Sequence, residues 1–589
     1  MKNVSFIDAR RSLEESKHAD LPKLKVSILR NIVVEPFDIY LKYFIHELEY
    51  KAEIEYGEYD QIPQEVMQDN ARLFNNADVI IVFLKLETLS WDISRNFPSL
   101  SREEVDQEVD RIEAYIQNVL TGIRRQTAAM ILWHSFEIPV DPAYGVIDAC
   151  QTWGQTSAVR RLNDKLQRRL STANSAYLVD LNSCAARIGY EQFYDNRYWH
   201  ISKAPYSRRA IQEIALENIK FVRSLKGKSR KCLILDCDNT LWGGILGEDG
   251  LVNLKLGKSH PGSIYYELQQ EILNLYHRGV ILALCSKNNE SDVWEMFEKH
   301  PDMLLKKEQI SAAMINWDDK ATNILRLAEV LNIGLDSMVF IDDSEFECDL
   351  IRQSLPQVEV IHFSENNKLE LRSSLLSNGW FDLLTVSDED RNRGELYRAE
   401  AARKNVQNSF HSLEAFYESL EMEVTITKAD GFSIPRIAQL TQKTNQFNLT
   451  TPRYSEAEIK HLSESEETDV LFVQLKDKFG DYGIIGVSIV QYDKEQANID
   501  AFLLSCRAIG RGVEDVLLEK TMVLARTHGC TEIKGTYKPT PKNMQVKNFY
   551  IDRQYEFITP SEEGDENLYL SSLDNEICVP DYFKNITFG

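Results

Sequence analysis

The sequence predicts an α/β protein of several domains, two of them built on parallel sheets and the last an α+β block. Three observations carry that expectation. The chain has 589 residues, several times the roughly 100–200 of a single domain. Continuous apolar runs of strand length, KVSILRNIVV from Lys25 to Val34 and VIIVFL from Val79 to Leu84, are separated by polar-periodic segments such as Glu103 to Arg124. Strands alternating with helices build parallel sheets covered on both faces. Towards the C-terminus the pattern changes to an alternating strand, EMEVTIT from Glu421 to Thr427.

The first block, residues 1–225, adds strands at Met130 to Trp133 and Tyr177 to Leu181. The basic stretch KGKSRK, Lys226 to Lys231, then precedes the apolar run CLIL and marks a boundary. The second block, 226–384, reads as strand 232–236, helix 264–278, strand 280–284, helices 290–299 and 319–331, and strand 338–342. Residues 385–417, containing DEDRNRGELYRAEAARKN, read as a charged connecting helix. The third block is 418–589.

With 67 Lys and Arg against 91 Asp and Glu, the net charge is −24. Such a surface repels phosphate backbones and anionic lipid, so neither nucleic acid nor a membrane surface is expected as a partner. No apolar run approaches the ~18 residues of a membrane span. The opening MKNVSFIDARRSLEESKHAD lacks the apolar core and cleavage site of a signal peptide. Nine cysteines without CxxC spacing argue for reduced thiols rather than disulfides or zinc. The expectation is a cytoplasmic protein.

The strongest chemical signal is Asp236-Cys237-Asp238-Asn239-Thr240, directly after CLIL. A strand end delivers its side chains to the carboxyl edge of a parallel sheet, where such sheets build their sites. Two aspartates at i and i+2 point to one side of an extended chain, so one can attack phosphorus or bind a cation while the other moves a proton. Ser286 ends the next strand, Lys320 opens a helix, and Asp342-Asp343 end a third strand. These supply carboxylates for Mg²⁺, a lysine to offset charge and a hydroxyl for a phosphate oxygen.

In that order, DxDxT, a strand-terminal Ser, a helix-opening Lys and a strand-terminal Asp pair resemble the four motifs of the haloacid dehalogenase-like (HAD-like) phosphotransferases. More narrowly, LDCDNTLWGGILGEDG, LALCSKNNESD, INWDDKATNI and MVFIDDSEFE resemble the FkbH family. Members of that family are implicated in making glyceryl-acyl carrier protein from 1,3-bisphosphoglycerate for polyketide and related pathways. The resemblance implies Asp236 as nucleophile and Mg²⁺ ligand, and Asp238 as acid/base lending a backbone carbonyl to the metal. Ser286 and Lys320 would hold phosphate, with Thr240, Lys287 and Asn288 beside them, and Asp342 and Asp343 would complete the metal shell.

Only about twenty residues separate Asp238 from the next expected helix, too few for a large cap domain, and Trp242, Gly243 and Gly244 fit a tight flap over the site. Cys285 directly precedes Ser286. A thiolate there would attack an acyl phosphate and pass the resulting thioester to a phosphopantetheine thiol, with Lys287 lowering its pKa. The competing reading is a small buried hydrophobe. Cys237, by alternation, belongs to the core.

In the third block, Arg507-Ala-Ile-Gly510-Arg511-Gly512 resembles the pyrophosphate loop of GCN5-related N-acyltransferases (GNAT). Asn543…Asn548-Phe549-Tyr550 resembles that superfamily's second motif, with Tyr550 at the general-acid position. An inert scaffold of that fold is the alternative. The amide-rich run Gln442 to Leu449 would hold a pantetheine arm or cap a helix. The first block resembles SGNH hydrolases and flavodoxin-like sheets, with Asp195…His200 matching a terminal Asp/His pair. Asn31 replaces the nucleophilic serine, so hydrolysis is not expected there, and His134 reads as structural.

The resemblance therefore implies a Mg²⁺-dependent enzyme that takes a phosphorylated three-carbon metabolite and loads a glyceryl group onto a phosphopantetheinylated acyl carrier protein. Two alternatives stand beside it. One is an acyltransferase using acyl-CoA or an acyl carrier, with an accessory phosphatase domain. The other is a non-catalytic assembly subunit that binds a carrier protein.

Overall fold

The computed structural model of the protein describes residues 4–15, 21–68, 72–364, 375–385, 412–560 and 566–589, with single positions between 365 and 411. The chain forms two compact units. One comprises Met1–Arg223 with Ser455–His461, the other Ser224–Tyr454 with Leu462–Gly589.

The first unit is built on five strands, β1 (Lys23–Arg30), β2 (Lys51–Tyr56), β3 (Val79–Phe83), β4 (Met130–His134) and β5 (Ala176–Val179). All pair in parallel in the order β2-β1-β3-β4-β5. The central β3 and β4 are buried at every position, which explains their unbroken apolar runs. Edge strand β2, KAEIEY, carries no such run because its side chains are only half-buried or exposed, and the apolar pattern alone does not reveal it. The helix Arg102–Gln126 starts at a capping box: Glu104 N donates to Ser101 Oγ at 3.3 Å and Ser101 N to Glu104 Oε2 at 2.7 Å. Its Val105, Val109, Ile112, Ile116 and Ile123 repeat at helical spacing and pack on the sheet core.

The second unit contains two sheets. The first has β6 (Cys232–Leu235), β7 (Ile281–Ser286), β8 (Ile310–Ile315), β9 (Met338–Asp342) and β10 (Glu359–His362). Its order is β10-β9-β6-β7-β8, all parallel, with β6 in the middle. Alternation sorts its side chains into two layers. Leu233, Leu235 and Cys237 join one core cluster, and Cys232, Ile234, Ala283 and Cys285 the other. Between β6 and the helix Gly262–His277 lies only a loop with the short helix Leu246–Asp249, so no separate cap is inserted there.

The other sheet has nine strands, ordered β17-β18-β16-β15-β14-β13-β11-β19 with β12 paired to β15. They are β11 (Glu423–Lys428), β12 (Phe447–Asn448), β13 (Thr468–Asp477), β14 (Gly480–Asp493), β15 (Gln496–Leu504), β16 (Glu532–Tyr537), β17 (Glu556–Pro560), β18 (Asn567–Ser572) and β19 (Asn585–Phe588). β15 and β16 are parallel and pair only from Gln496↔Glu532 to Ile499↔Gly535. Beyond that point the run Phe447–Leu449 enters between them. Leu449 N donates to Phe502 O at 3.1 Å, and Lys538 N to Leu449 O at 2.8 Å. Most of the expected connecting helix over 385–417 lies outside the described residues; a helix runs over Leu413–Ser419.

Candidate active site

The register of the central sheet places its chemistry. Leu235 pairs with Ile341 on one side and Leu284 on the other, so Asp236, Asp342 and the end of β7 emerge together at the carboxyl edge. Asp236 N donates to Ile341 O at 3.0 Å. Lys320 is the first residue of the helix Lys320–Leu331, whose N-cap Asp319 accepts from Thr322 N. Its ammonium donates to Asp236 Oδ1 at 2.7 Å and Asp342 Oδ2 at 2.5 Å, with all three side chains buried. Among the described residues, ligand oxygens of Asp236, Asp342 and Asp343 all lie within 4.8 Å of one another.

The electrostatics of this cluster are those of excess negative charge. Burial pushes the Asp236 carboxyl up to about 6, with Lys320 opposing and Asp342 adding to the rise. Burial and the Asp236 charge take Asp343 to about 6 as well. Asp342 is raised by burial, against Lys320. Burial works against the Lys320 ammonium, yet the charges of Asp236 and Asp342 overcome it and hold its pKa above the usual lysine range. One ammonium among three carboxylates leaves a hard-oxygen donor set suited to a small divalent cation such as Mg²⁺.

Asp238 sits above this cluster, held differently. Its Oδ1 accepts from Trp242 Nε1 at 2.9 Å and from Leu246 N at 3.0 Å, and its Oδ2 from Asn288 Nδ2 at 3.0 Å. Asn288 also donates to Ser286 Oγ at 3.1 Å. The two aspartates of the motif are thus held differently: Asp236 by the Lys320 ammonium within the carboxylate cluster, Asp238 by neutral donors. Asn239, which motif reading passes over, adopts φ +53 and accepts from Gly244 N at 2.9 Å, closing the loop. A non-glycine residue in a tight left-handed position is the local signal that could have found it.

Several expected contacts are corrected. Trp242 is fully buried in the core cluster, so it positions Asp238 rather than covering substrate. Gly243 pairs with Lys255 through its backbone and lies against Tyr265, where an added Cβ would come within 2.6 Å. Gly244, at φ +109, is likewise part of a closed loop and not an open flap. The Thr240 hydroxyl is fully buried and without a hydrogen-bond partner, so it offers no surface to a phosphate. Lys287 donates to Glu347 Oε1 at 2.7 Å, an ion pair the sequence does not announce.

Cys285 requires the largest correction. Its side chain is fully buried on the layer of Cys232, Ile234 and Phe340, with Sγ 3.8 Å from Lys320 O. Burial raises its pKa far above the ordinary thiol range, and Lys320 only partly opposes this. Lys287, already paired, does not activate it. As folded, this thiol is a core side chain.

The C-terminal residues expected to hold a pantetheine arm are also engaged elsewhere. Arg511 Nη1 donates to the Tyr482 hydroxyl at 2.5 Å and lies 3.7 Å from Asp477, inside a buried network shared with Arg403. Gly510 O accepts from the Tyr417 hydroxyl at 2.8 Å, and Arg511 O from the Tyr582 hydroxyl at 3.1 Å. A Cβ on Gly512 would meet Tyr582 at 2.6 Å and Pro580 at 2.7 Å, so the loop is covered by the chain's own C-terminal segment. Tyr550 is buried among Phe549, Tyr555 and Tyr569, and its hydroxyl has no partner; it is packed as core, away from a general acid's place. Arg507 stands apart from these: its Nη1 is buried without a hydrogen-bond partner. In the first unit, Asn31 clasps the Lys85 backbone, Lys85 N donating to Asn31 Oδ1 at 2.7 Å. Asp195 caps the helix Asn196–Ser202, His200 is exposed, and His134 is buried against Val82 O and Asn218.

Residues 25–222 match the family model described as FkbH, N-terminal domain. No curated protein matches the chain. Among solved structures, the N-terminal part of the protein BF1531 from Bacteroides fragilis, containing a phosphatase domain complexed with Mg, is similar over 65% of this chain and 100% of its own. The two share 27% sequence identity, with a TM-score of 0.59. The ribosomal-protein-S18-alanine N-acetyltransferase from Escherichia coli covers 27% of this chain and 97% of its own, at 15% identity and TM-score 0.21. Ard1 from Thermoplasma volcanium covers 25% and 97%, at 17% identity and TM-score 0.21. No helix among the described residues is long and apolar enough to cross a membrane.

Proposed function

We propose that the protein is a Mg²⁺-dependent phosphoryl-transfer enzyme whose nucleophile is Asp236. The observation that carries this reading is the cluster of buried Asp236 and Asp342, both bonded to Lys320, with half-buried Asp343 at one sheet edge. A Mg²⁺ ion held by those carboxylates would supply charge stabilisation for the transferring phosphoryl group. The Asp236 carboxylate attacks phosphorus, and the bond to the leaving oxygen breaks as Asp238 gives that oxygen a proton. Water then attacks the aspartyl phosphate while Asp238 takes a proton back, releasing phosphate and restoring both side chains. Lys320 would neutralise charge on the transferring oxygens, and Ser286 would donate to one of them. The Bacteroides fragilis phosphatase domain complexed with Mg supports the same chemistry.

In its finer form the proposal adopts the substrate that the FkbH resemblance implies, 1,3-bisphosphoglycerate, with a carrier protein as acceptor. The match over residues 25–222 supports it. Because Cys285 is buried, transfer is assigned directly to the phosphopantetheine sulfur. That sulfur attacks the acyl carbon, the carbon–oxygen bond to phosphate breaks, and the phosphate departs with the electron pair while the thiol proton is lost to it. The test is phosphate release from phosphate esters with and without Mg²⁺. Asp236→Asn is expected to abolish release with the fold intact, whereas Cys285→Ala retains it. Undiminished release by Asp236→Asn would overturn the reading.

A further inference from the structure

A cavity of ≈ 320 Å³ lies in the second unit between the central sheet and the C-terminal block. Among the described residues its wall carries Lys231, Arg436, Lys443, Arg507 and Lys542, with one carboxylate, Asp336. Lys231 precedes β6 and Asp336 precedes β9, so the cavity opens at the amino edge of the sheet. Asp236 and Asp342 sit at the opposite ends of the same strands, five and six residues on, roughly 17–20 Å away at ~3.3 Å per residue. It is not the phosphoryl-transfer site.

The cavity is built, not incidental. Lys542 pairs with Asp336, and Lys231 Nζ donates to Lys443 O at 2.8 Å. Asn332 Nδ2 donates to Cys506 O at 2.8 Å, fastening the central block to the C-terminal one across the wall. Arg507 is the informative group. It is 7% exposed, and its Nη1 is buried without a hydrogen-bond partner. Nearby, Gln446 Oε1 is also buried and unpartnered. The Asp336 carboxyl, though burial opposes it, is held below its ordinary range by Lys542, Lys231 and Arg230, so this acid is already engaged by cations. A buried guanidinium without an anion is costly, and its planar fork matches phosphate oxygens two at a time.

We propose that this cavity is a binding site for a small phosphate-bearing polyanion, with Arg507 as its buried anchor and Lys443 and Lys542 as flanking charges. An occupant there touches both blocks of the second unit, since residues of each line the wall. The inference stands independently of the phosphatase reading, because it uses none of that site's residues.

Isothermal titration calorimetry on the full chain tests it, with inorganic pyrophosphate as probe. The wild type and Asp236→Asn should bind with the same affinity, whereas Arg507→Gln binds at least tenfold more weakly. Lys542→Ala, altered at a half-exposed position, should weaken binding severalfold and guards against a folding defect in the Arg507 variant. A parallel titration with pantetheine 4′-phosphate distinguishes the sources. Affinity equal to that of pyrophosphate identifies a carrier arm, and weaker affinity a free phosphorylated metabolite. Pyrophosphate binding unchanged by both Arg507→Gln and Lys542→Ala, or lost only in Asp236→Asn, would overturn the proposal.

Discussion

At Asp238, the hydrogen bond from Trp242 Nε1 can be removed without touching the other two donors. Trp242→Phe keeps most of the apolar volume but deletes the N–H, leaving Oδ1 held by Leu246 N alone and the carboxylate less firmly oriented. One such bond to a charged group is worth about 1.5 kcal/mol, so kcat should fall roughly tenfold with KM little changed. Steady-state phosphate release checks this; a raised KM at constant kcat would place Trp242 on the substrate instead. The carboxylates below it give a pH dependence. Asp236 and Asp343 titrate near 6, and a cation binds their deprotonated forms. Mg²⁺ affinity should therefore be constant above about pH 7 and fall by up to about tenfold per pH unit per displaced proton below 6. Mg²⁺ titrations of activity from pH 5 to 8 measure it, and an affinity that rises on acidification contradicts the assignment.

The helix Val513–Thr527 illustrates an element carrying a cost at its start. Glu514, in its first turn, is buried with Oε2 unpartnered, and burial pushes its carboxyl up to about 7. In the unfolded chain the same group titrates near 4.5. Between those values the folded state holds the extra proton, so stability is lost as pH rises from about 4.5 to 7 and is level beyond. Glu514→Gln removes that dependence. It should stabilise the protein at pH 8 by on the order of 2–3 kcal/mol and have little effect at pH 4.5. Thermal unfolding of both chains at the two pH values tests it; an equal difference at both would show that the carboxyl is not the cause. The tight packing at β16 belongs to the same scale. A Cβ on Gly535 would meet the Tyr550 ring at 2.3 Å, which is why glycine occupies that strand position and why Tyr550 is fixed as core.

Across the whole molecule, the phosphoryl-transfer residues fall between Asp236 and Asp343, whereas the polyanion cavity needs residues from both the central and C-terminal blocks. The two should separate on truncation. A chain ending at residue 384 keeps the sheets β1–β5 and β6–β10 and with them the carboxylate cluster. It should retain Mg²⁺-dependent phosphate release comparable to that of the full chain. It should also lose stability, because the Lys542–Asp336 pair and the Lys231 bond to Lys443 O vanish. Loss of phosphate release by a folded truncation would show that the C-terminal block completes the site. The net charge of −24 sharpens the contrast with the cationic cavity, which concentrates positive charge where the rest of the surface repels anions.

The sequence by itself determined the parallel sheets and the central cluster. Apolar runs such as CLIL and MVFID are buried strands, and the aspartates that follow them must lie at the carboxyl edge. Edge strand β2 stayed hidden because half-exposed strands carry no apolar run. Tertiary structure alone decided which polar groups are free to react. Cys285 and Ser286 are neighbours in sequence, yet alternation sends one into the core and leaves the other beside Asn288. Arg507 and Arg511 share one motif, but Asp477 and Tyr482 occupy the second while the first is left unpartnered. Reactivity depends on burial and on partners distant in the chain, and spacing along the sequence encodes neither.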